Sequence, residues 1–382
     1  MSLRHRRKLR TLLRKQSRRI TINLYLNLAC VPAKLSVRTY WGMSNLKIFI
    51  DNSFETPWAI AQWQKIIGSW KESSLAICDS IEDADVILIT LTGPKGDYAR
   101  IIDFIAQSTK YSALAEKVFV FDQFDPAVGL FPGIYASLRR YLFSQSRHRT
   151  GCYLQSLNEF ITYREPDCEG WIRYLFSFQG NASSRVRNRL FLTEFGRNDV
   201  LIERKRPPGG RIAGGHEKDD SSPEVVEFKR QYAEVITRSK FILCPRGHGT
   251  SSVRLFETMQ SGRVPVIISD AWVPFSNIEW SRFALRIREK DIANLPDICL
   301  DATSHWITMA LEARRTWEEW FSPRGLAKLI ETSILDIKRT RKCPERLLRP
   351  FDWPVRRSLV KGRYLAVRSY SAAMSAMSRF TR

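Results

Sequence analysis

Two short stretches of the chain combine residue types that could bind an anion and move a proton. The first is Arg246-Gly-His-Gly-Thr250, set between an apolar run, Phe241–Pro245, and an amphipathic one that opens on Ser251 and Ser252. Gly247 and Gly249 are free to take positive φ, and the free N–H groups of a helix start would point at a phosphate. Arg246 adds a guanidinium fork that matches phosphate oxygens. The second stretch is Asp122-Gln-Phe-Asp125, directly after the apolar run Lys117–Phe121. Either carboxylate could serve as general base toward a hydroxyl. Equally, Asp125-Pro126 could simply make a turn that Asp122 caps.

These roles require particular elements beneath them. Phe241–Pro245 and Val264–Ser269 are too short for buried helices and read as buried strands, joined by a helix that Gly262 stops. That is a βαβ unit, and its turn lies at the carboxyl end of the first strand, where open parallel sheets bind ligands. Asp270 follows the second strand at the same edge. Tyr174–Phe178, then Gln179-Gly180, then a helical run with Arg185 and Arg187 in its first turns repeats that order. Glu224–Arg238 reads as an amphipathic helix. Earlier in the chain, Leu46–Asp51, Leu75–Asp79, Val86–Thr90 and Lys117–Phe121 read as strands, and Tyr98–Gln107 as a helix. The alternation predicts an α/β protein with parallel, doubly wound sheets. The expected divisions are a basic arm at 1–45, a Rossmann-like domain at 46–168, a second at 169–338, and a basic amphipathic tail at 339–382.

The pattern across Ser239–Asp291 is denser than either stretch alone. It runs SKF, CPRGHGTSSVRLFETMQSGRVPVIISDAWVPF, then Trp280-x-x-Phe283 and an acidic REKD. This resembles the C-terminal half of the exostosin family, the family 47 glycosyltransferases, with a looser match back to about Tyr174. The resemblance implies a GT-B fold, in which two Rossmann-like domains face each other across a cleft. It also implies transfer of a sugar from a UDP- or GDP-linked donor to a glycan or glycoconjugate, with the nucleotide-sugar as co-substrate and no other cofactor or metal. Under it, Gly247, Gly249, Ser251 and Ser252 approach the donor diphosphate, with Arg246 and Arg254 as charge partners. Gly180 and Arg185 or Arg187 would help from the domain's first loop, and Asp270 would touch sugar or nucleotide. Many GT-B enzymes have a glutamate similar to Glu257 that accepts hydrogen bonds from the donor ribose, before a small-Met-small-x-Gly-x-Pro run. Here one extra residue separates Gly262 from Pro265. Glu257 could instead pair with Arg254. Asp122 and Asp125 would stand on the acceptor side. The alternative function is a non-catalytic binding protein that keeps the scaffold.

Composition narrows the remaining classes. The net charge of +22 sits at the ends: residues 1–19 contribute +9 and residues 338–382 contribute +11. A nucleic-acid enzyme should carry its basic patch on the folded body, so that class is disfavoured. The basic tail suits either an amphipathic helix on an anionic membrane surface or a disordered basic end. Seven scattered cysteines without a CxxC pair indicate neither a disulfide framework nor a zinc site, and favour a reducing, cytoplasmic setting over a Golgi lumen. No run reaches the length of a membrane span, Ile20–Val37 coming nearest. Asp83-Ala-Asp85 reads as a solvated acidic turn before a strand, and His148, inside the basic run QSRHRT, as a surface histidine. The glycine-rich stretch 207–223, with His216, Asp219 and Asp220, reads as a loop that offers no preformed metal site.

Overall fold

The computed structural model describes residues 46–348, except 71–72, 94–95, 126, 155–157, 167–169, 207 and 209–221, and also Ser358. The basic arm, the His216 region and the tail beyond Leu348 lie outside the described residues.

The first half is a six-stranded sheet, all parallel, in the order β2-β1-β3-β4-β5-β6. Its strands are β1 (Leu46–Asp51), β2 (Leu75–Ile77), β3 (Val86–Leu91), β4 (Val118–Asp122), β5 (Gly133–Tyr135) and β6 (His148–Thr150). Helices α1 (Pro57–Gly68), α2 (Tyr98–Gln107) and α3 (Thr109–Ala113) cross between them. Every residue of β3, VILITL, is buried, as a strand covered on both faces requires. Asp97 starts α2 by accepting the N–H groups of Ala99 and Arg100.

The second half is a five-stranded parallel sheet in the order β11-β10-β9-β7-β8. It contains β7 (Tyr174–Gly180), α4 (Arg185–Leu192), β8 (Val200–Arg204), α5 (Pro223–Thr237), β9 (Ser239–Pro245), α6 (Val253–Gln260), β10 (Val264–Ile268) and β11 (Leu285–Ile287). Helices α7 (Leu295–Asp301), α8 (Trp306–Trp320) and α9 (Gly325–Thr340) follow. The described residues thus form the two parallel α/β sheets expected of a GT-B enzyme. Among the described residues one apolar cluster runs through both halves, from Trp63 and Phe121 to Phe256, Met259 and Trp317, beside a further cluster in each half.

The last helix returns to the first half, where α9 packs on β5 and β6. The basic run 147–150 is therefore buried, and His148 is a core residue with no exposed surface. This corrects the surface reading. His148 Nδ1 accepts the Ser144 N–H at 2.9 Å, and Nε2 lies 3.0 Å from the Gly129 carbonyl. Arg147 forms a two-pronged pair with Glu345 at 2.9 and 2.8 Å, and Arg149 lies 3.7 Å from Asp336 on α9. The acids that admit these arginines to the interior come from nearly two hundred residues downstream. Asp83 and Asp85, by contrast, are exposed, and Asp85 accepts the Lys47 N–H before β3 begins.

Candidate functional site

β9 delivers the loop Arg246–Ser252 to the edge of its sheet, and the loop meets the first half there. The Thr250 N–H donates to Ser137 Oγ at 2.7 Å, and the Gly249 N–H faces the Asp125 carboxylate. Neither Gly247 nor Gly249 adopts positive φ, contrary to the conformational reading of both. Space is what demands glycine at 249: a Cβ there would overlap Ser137 Oγ and Asp125 Oδ1. Gly180, at the end of β7, is similarly close-fitting, since a Cβ would lie 3.1 Å from the Phe178 ring and 3.2 Å from Arg254 Nη2.

Glu257 lies one turn into α6 and is only 6% exposed. Its Oε2 accepts the Tyr232 hydroxyl of α5 at 2.7 Å. Burial pushes the carboxyl up to about 7, opposed by that hydrogen bond and by Arg254. Arg254 is stacked over Phe178, 4.5 Å from guanidinium carbon to ring centroid, and donates to the Gln179 carbonyl. Arg187 reaches the same place from α4, donating to Asn181 Oδ1 at 3.2 Å and the Pro245 carbonyl at 3.3 Å. Burial and the neighbouring Arg254 press the Arg187 guanidinium down to about 9.

Five buried polar atoms in this cluster have no hydrogen-bond partner: Arg187 Nε, Arg254 Nη1, and the hydroxyls of Ser183, Thr250 and Ser251. Unpaired buried donors are costly, and two adjacent guanidinium groups add a shared excess of positive charge. The set is suited to a multivalent anion such as a diphosphate. Ser252 stands at the N-cap of α6, but its side chain makes no capping bond.

The other candidate residues separate from this cluster. Arg246 is paired with Glu289 at 2.7 Å, and Asp270 Oδ1 accepts the Glu289 N–H at 3.1 Å, so both belong to an outer knot joining β9, β10 and β11. Arg185 is exposed on α4. Asp122 is buried, at 1% exposure, with its oxygens taken by the Tyr98 hydroxyl at 2.5 Å and the Phe124 N–H at 2.8 Å. It faces the first sheet's own core. Asp125 lies at the junction, accepting the Tyr153 hydroxyl at 2.7 Å with His248 and Arg187 close enough to act on its charge. Burial pushes its carboxyl up, and those neighbours pull it down.

Asp122 offers a test of that division. Burial raises its carboxyl to about 7, so its folded form holds a proton that the unfolded chain has already lost. That contribution is full below the ordinary carboxylate range and is lost as pH rises through about 7. Asp122→Asn should therefore gain about 1–3 kcal/mol at pH 8 relative to its effect at pH 4. Denaturant unfolding at the two pH values measures this, and an equal effect at both would contradict the assignment.

No motif or periodicity points to Tyr232, Tyr153 or Ser137. Each is an ordinary residue of its element and reaches the site only through packing between distant segments. Beside Glu257 the two halves leave a small pocket of about 20 Å³, lined by Cys152, Tyr153 and Leu154 on one side and by Val253 and Phe256 on the other. Among the described residues no group of three or more His, Cys, Asp or Glu could hold a metal ion.

Comparison with known proteins finds similarity over the second-half part of this site. The Exostosin GT47 domain model matches residues 172–300. Exostosin-1 of Drosophila melanogaster is 32% identical over 197 residues, 49% of this chain and 24% of that protein. The Exostosin-1 homolog of Caenorhabditis elegans is 30% identical over 152 residues, 37% of this chain and 39% of that one. The chain thus spans well under half the length of these two relatives. Among solved structures, Anabaena Alr3699/HepE in complex with UDP aligns at 12% identity and a TM-score of 0.35, covering 76% of this chain and 99% of that one. WaaG, a glycosyltransferase involved in lipopolysaccharide biosynthesis, aligns at 10% identity and a TM-score of 0.34, over 74% and 99%. Residues 172–300, from the approach to β7 into α7 and with Glu257, Tyr232 and Arg254 among them, are the part of the chain that matches the Exostosin GT47 domain model.

Proposed function

We propose that this protein is a glycosyltransferase that moves a sugar from a nucleotide-sugar donor to a glycan or glycoconjugate acceptor. The observation that carries the reading is the coincidence of the exostosin match with a buried carboxylate, two adjacent arginines and five unpartnered polar atoms around one loop. Arg187 and Arg254, with the hydroxyls of Ser183 and Ser251, neutralise the diphosphate, and Glu257 accepts from the ribose hydroxyls. The acceptor hydroxyl gives its proton to Asp125 as its oxygen bonds the anomeric carbon. The bond from that carbon to the diphosphate breaks, and the electron pair leaves with the nucleoside diphosphate. Stabilising the charge on that leaving group is the largest electrostatic task of the step.

A nucleotide needs a site of several hundred Å³. The pocket beside Glu257 is about 20 Å³. On this reading, donor entry requires the packing around Glu257 to open. Among the described residues no helix is long and apolar enough to cross a membrane. The +9 and +11 at the chain's ends are consistent with work on the cytoplasmic side of an anionic membrane surface.

Calorimetric titration with UDP and GDP tests the donor site, followed by a hydrolysis screen across UDP- and GDP-sugars. One nucleotide should bind, and Glu257→Ala should weaken it by roughly 1.5–3 kcal/mol, the value of a hydrogen bond to a charged group. Absence of binding by the native protein, or equal binding by the variant, would sink the reading.

A further inference from the structure

We infer that Tyr232 is a positioning residue for Glu257, holding the carboxylate from α5 in the orientation that lets its second oxygen receive a ribose hydroxyl. The inference rests on the reading of Glu257 given above and adds a residue that lies outside the motif.

The geometry is specific. The Tyr232 hydroxyl donates to Glu257 Oε2 at 2.7 Å, which fixes one oxygen and leaves Oε1 for a ligand. The Tyr232 ring also lies 5.4 Å from the Arg254 guanidinium, which stacks on Phe178 at 4.5 Å. One phenol thus adjoins both the carboxylate and the cation of the cluster. A helix of the second half that carries no residue of the loop motif orients the motif's only buried acid.

The same contact affects ionisation. Burial holds the Glu257 carboxyl near 7, and the phenol and Arg254 are what keep it from rising further. The other titratable groups around it are Cys244 on β9, Arg187 on α4, and Cys152 and Tyr153 after β6. Burial pushes both thiols and both phenols up, so they remain neutral between pH 5.5 and 8.5. Removing the Tyr232 hydroxyl raises Glu257 further and leaves more of it protonated at pH 7. A protonated carboxyl is a weaker acceptor than the carboxylate.

The test uses the full chain with UDP and GDP as probes and compares Tyr232→Phe, Glu257→Gln and the double variant from pH 5.5 to 9. Tyr232→Phe should bind the nucleotide about fivefold more weakly at pH 7, the loss of carboxylate that a one-unit rise from about 7 brings at that pH, and return to within about twofold of the native protein at pH 9. It should add nothing to Glu257→Gln. A ligand-free readout stands beside it: the Glu257 carboxyl carbon, in protein with ¹³C-labelled glutamate, assigned by its loss in Glu257→Gln. Its titration should move to higher pH in Tyr232→Phe. An unmoved titration overturns the inference, as does a binding loss that is equal at every pH and adds fully to Glu257→Gln. Glu257→Gln binding like the native protein means that the Glu257 reading itself has failed. An impaired Glu257→Gln beside an unimpaired Tyr232→Phe overturns the Tyr232 inference alone.

Discussion

Asp125→Asn is expected to lower sugar transfer by about 10²- to 10⁴-fold, the range typical of losing a general base. Asparagine keeps an oxygen for the Tyr153 hydroxyl, which now sits 2.7 Å from the carboxylate, so the fold at the junction should survive. Nucleotide binding should hold or tighten, because the carboxylate lies beside the Gly249 N–H and near Arg187, the groups that a diphosphate would use. Burial pushes the Asp125 carboxyl up, so the base form accumulates above the usual carboxylate range, and transfer should rise with pH. In Asp125→Asn that limb should vanish, leaving only the one set by Glu257 near 7. A variant that transfers within threefold of the native protein would remove Asp125 from the chemistry. A variant that loses transfer and nucleotide binding together would make Asp125 a structural link.

Arg147→Ala should cost about 3–5 kcal/mol of folding stability, because it strands Glu345 as an unpaired buried charge. Glu345 has no exposed surface, and Arg147 is its partner through two hydrogen bonds at 2.9 and 2.8 Å. The Leu130 carbonyl also loses a donor at 2.7 Å. Denaturant unfolding of the full chain measures the loss. The double variant Arg147→Ala, Glu345→Gln removes the stranded charge and should recover part of it. A single variant within about 1 kcal/mol of the native protein would mean that water reaches the pair, against the burial described.

The central βαβ unit was legible because its signals are local. Apolar runs at strand length, a glycine-bearing turn and a helix stop at Gly262 all lie within thirty residues, and the strands formed at Ser239–Pro245 and Val264–Ile268. The three-residue strands β2, β5, β6 and β11 have no such run, and only β2 fell within an expected strand. They exist because neighbouring strands offer backbone partners, as Gly133 does beside Val120. Side-chain roles divide in the same way. Glu257 and Arg254 were readable because a motif surrounds them. Arg246 carried the same promise, yet Glu289 claims it from 43 residues away. Gly249 was noted for a backbone freedom it does not use, while the real constraint, Asp125 and Ser137 pressed against it, comes from the other half of the chain. Periodicity encodes which face is buried. It does not encode which distant residue arrives there.

Helix α8 lies beyond residue 300, yet it packs over α6 and β10. Just past it, Phe321 meets the Phe256 ring edge-on at 5.0 Å. Helix α9 then carries the chain back to β5 and β6 of the first half. A fragment cut at residue 300 would retain every motif residue and lose the roof over Phe256 and Met259. The stretch that identifies the domain and the stretch that closes its core are therefore different lengths of chain. In inheritance terms, residues 172–300 are what can be recognised, but the unit that must be kept together also includes the first sheet and the two helices that follow.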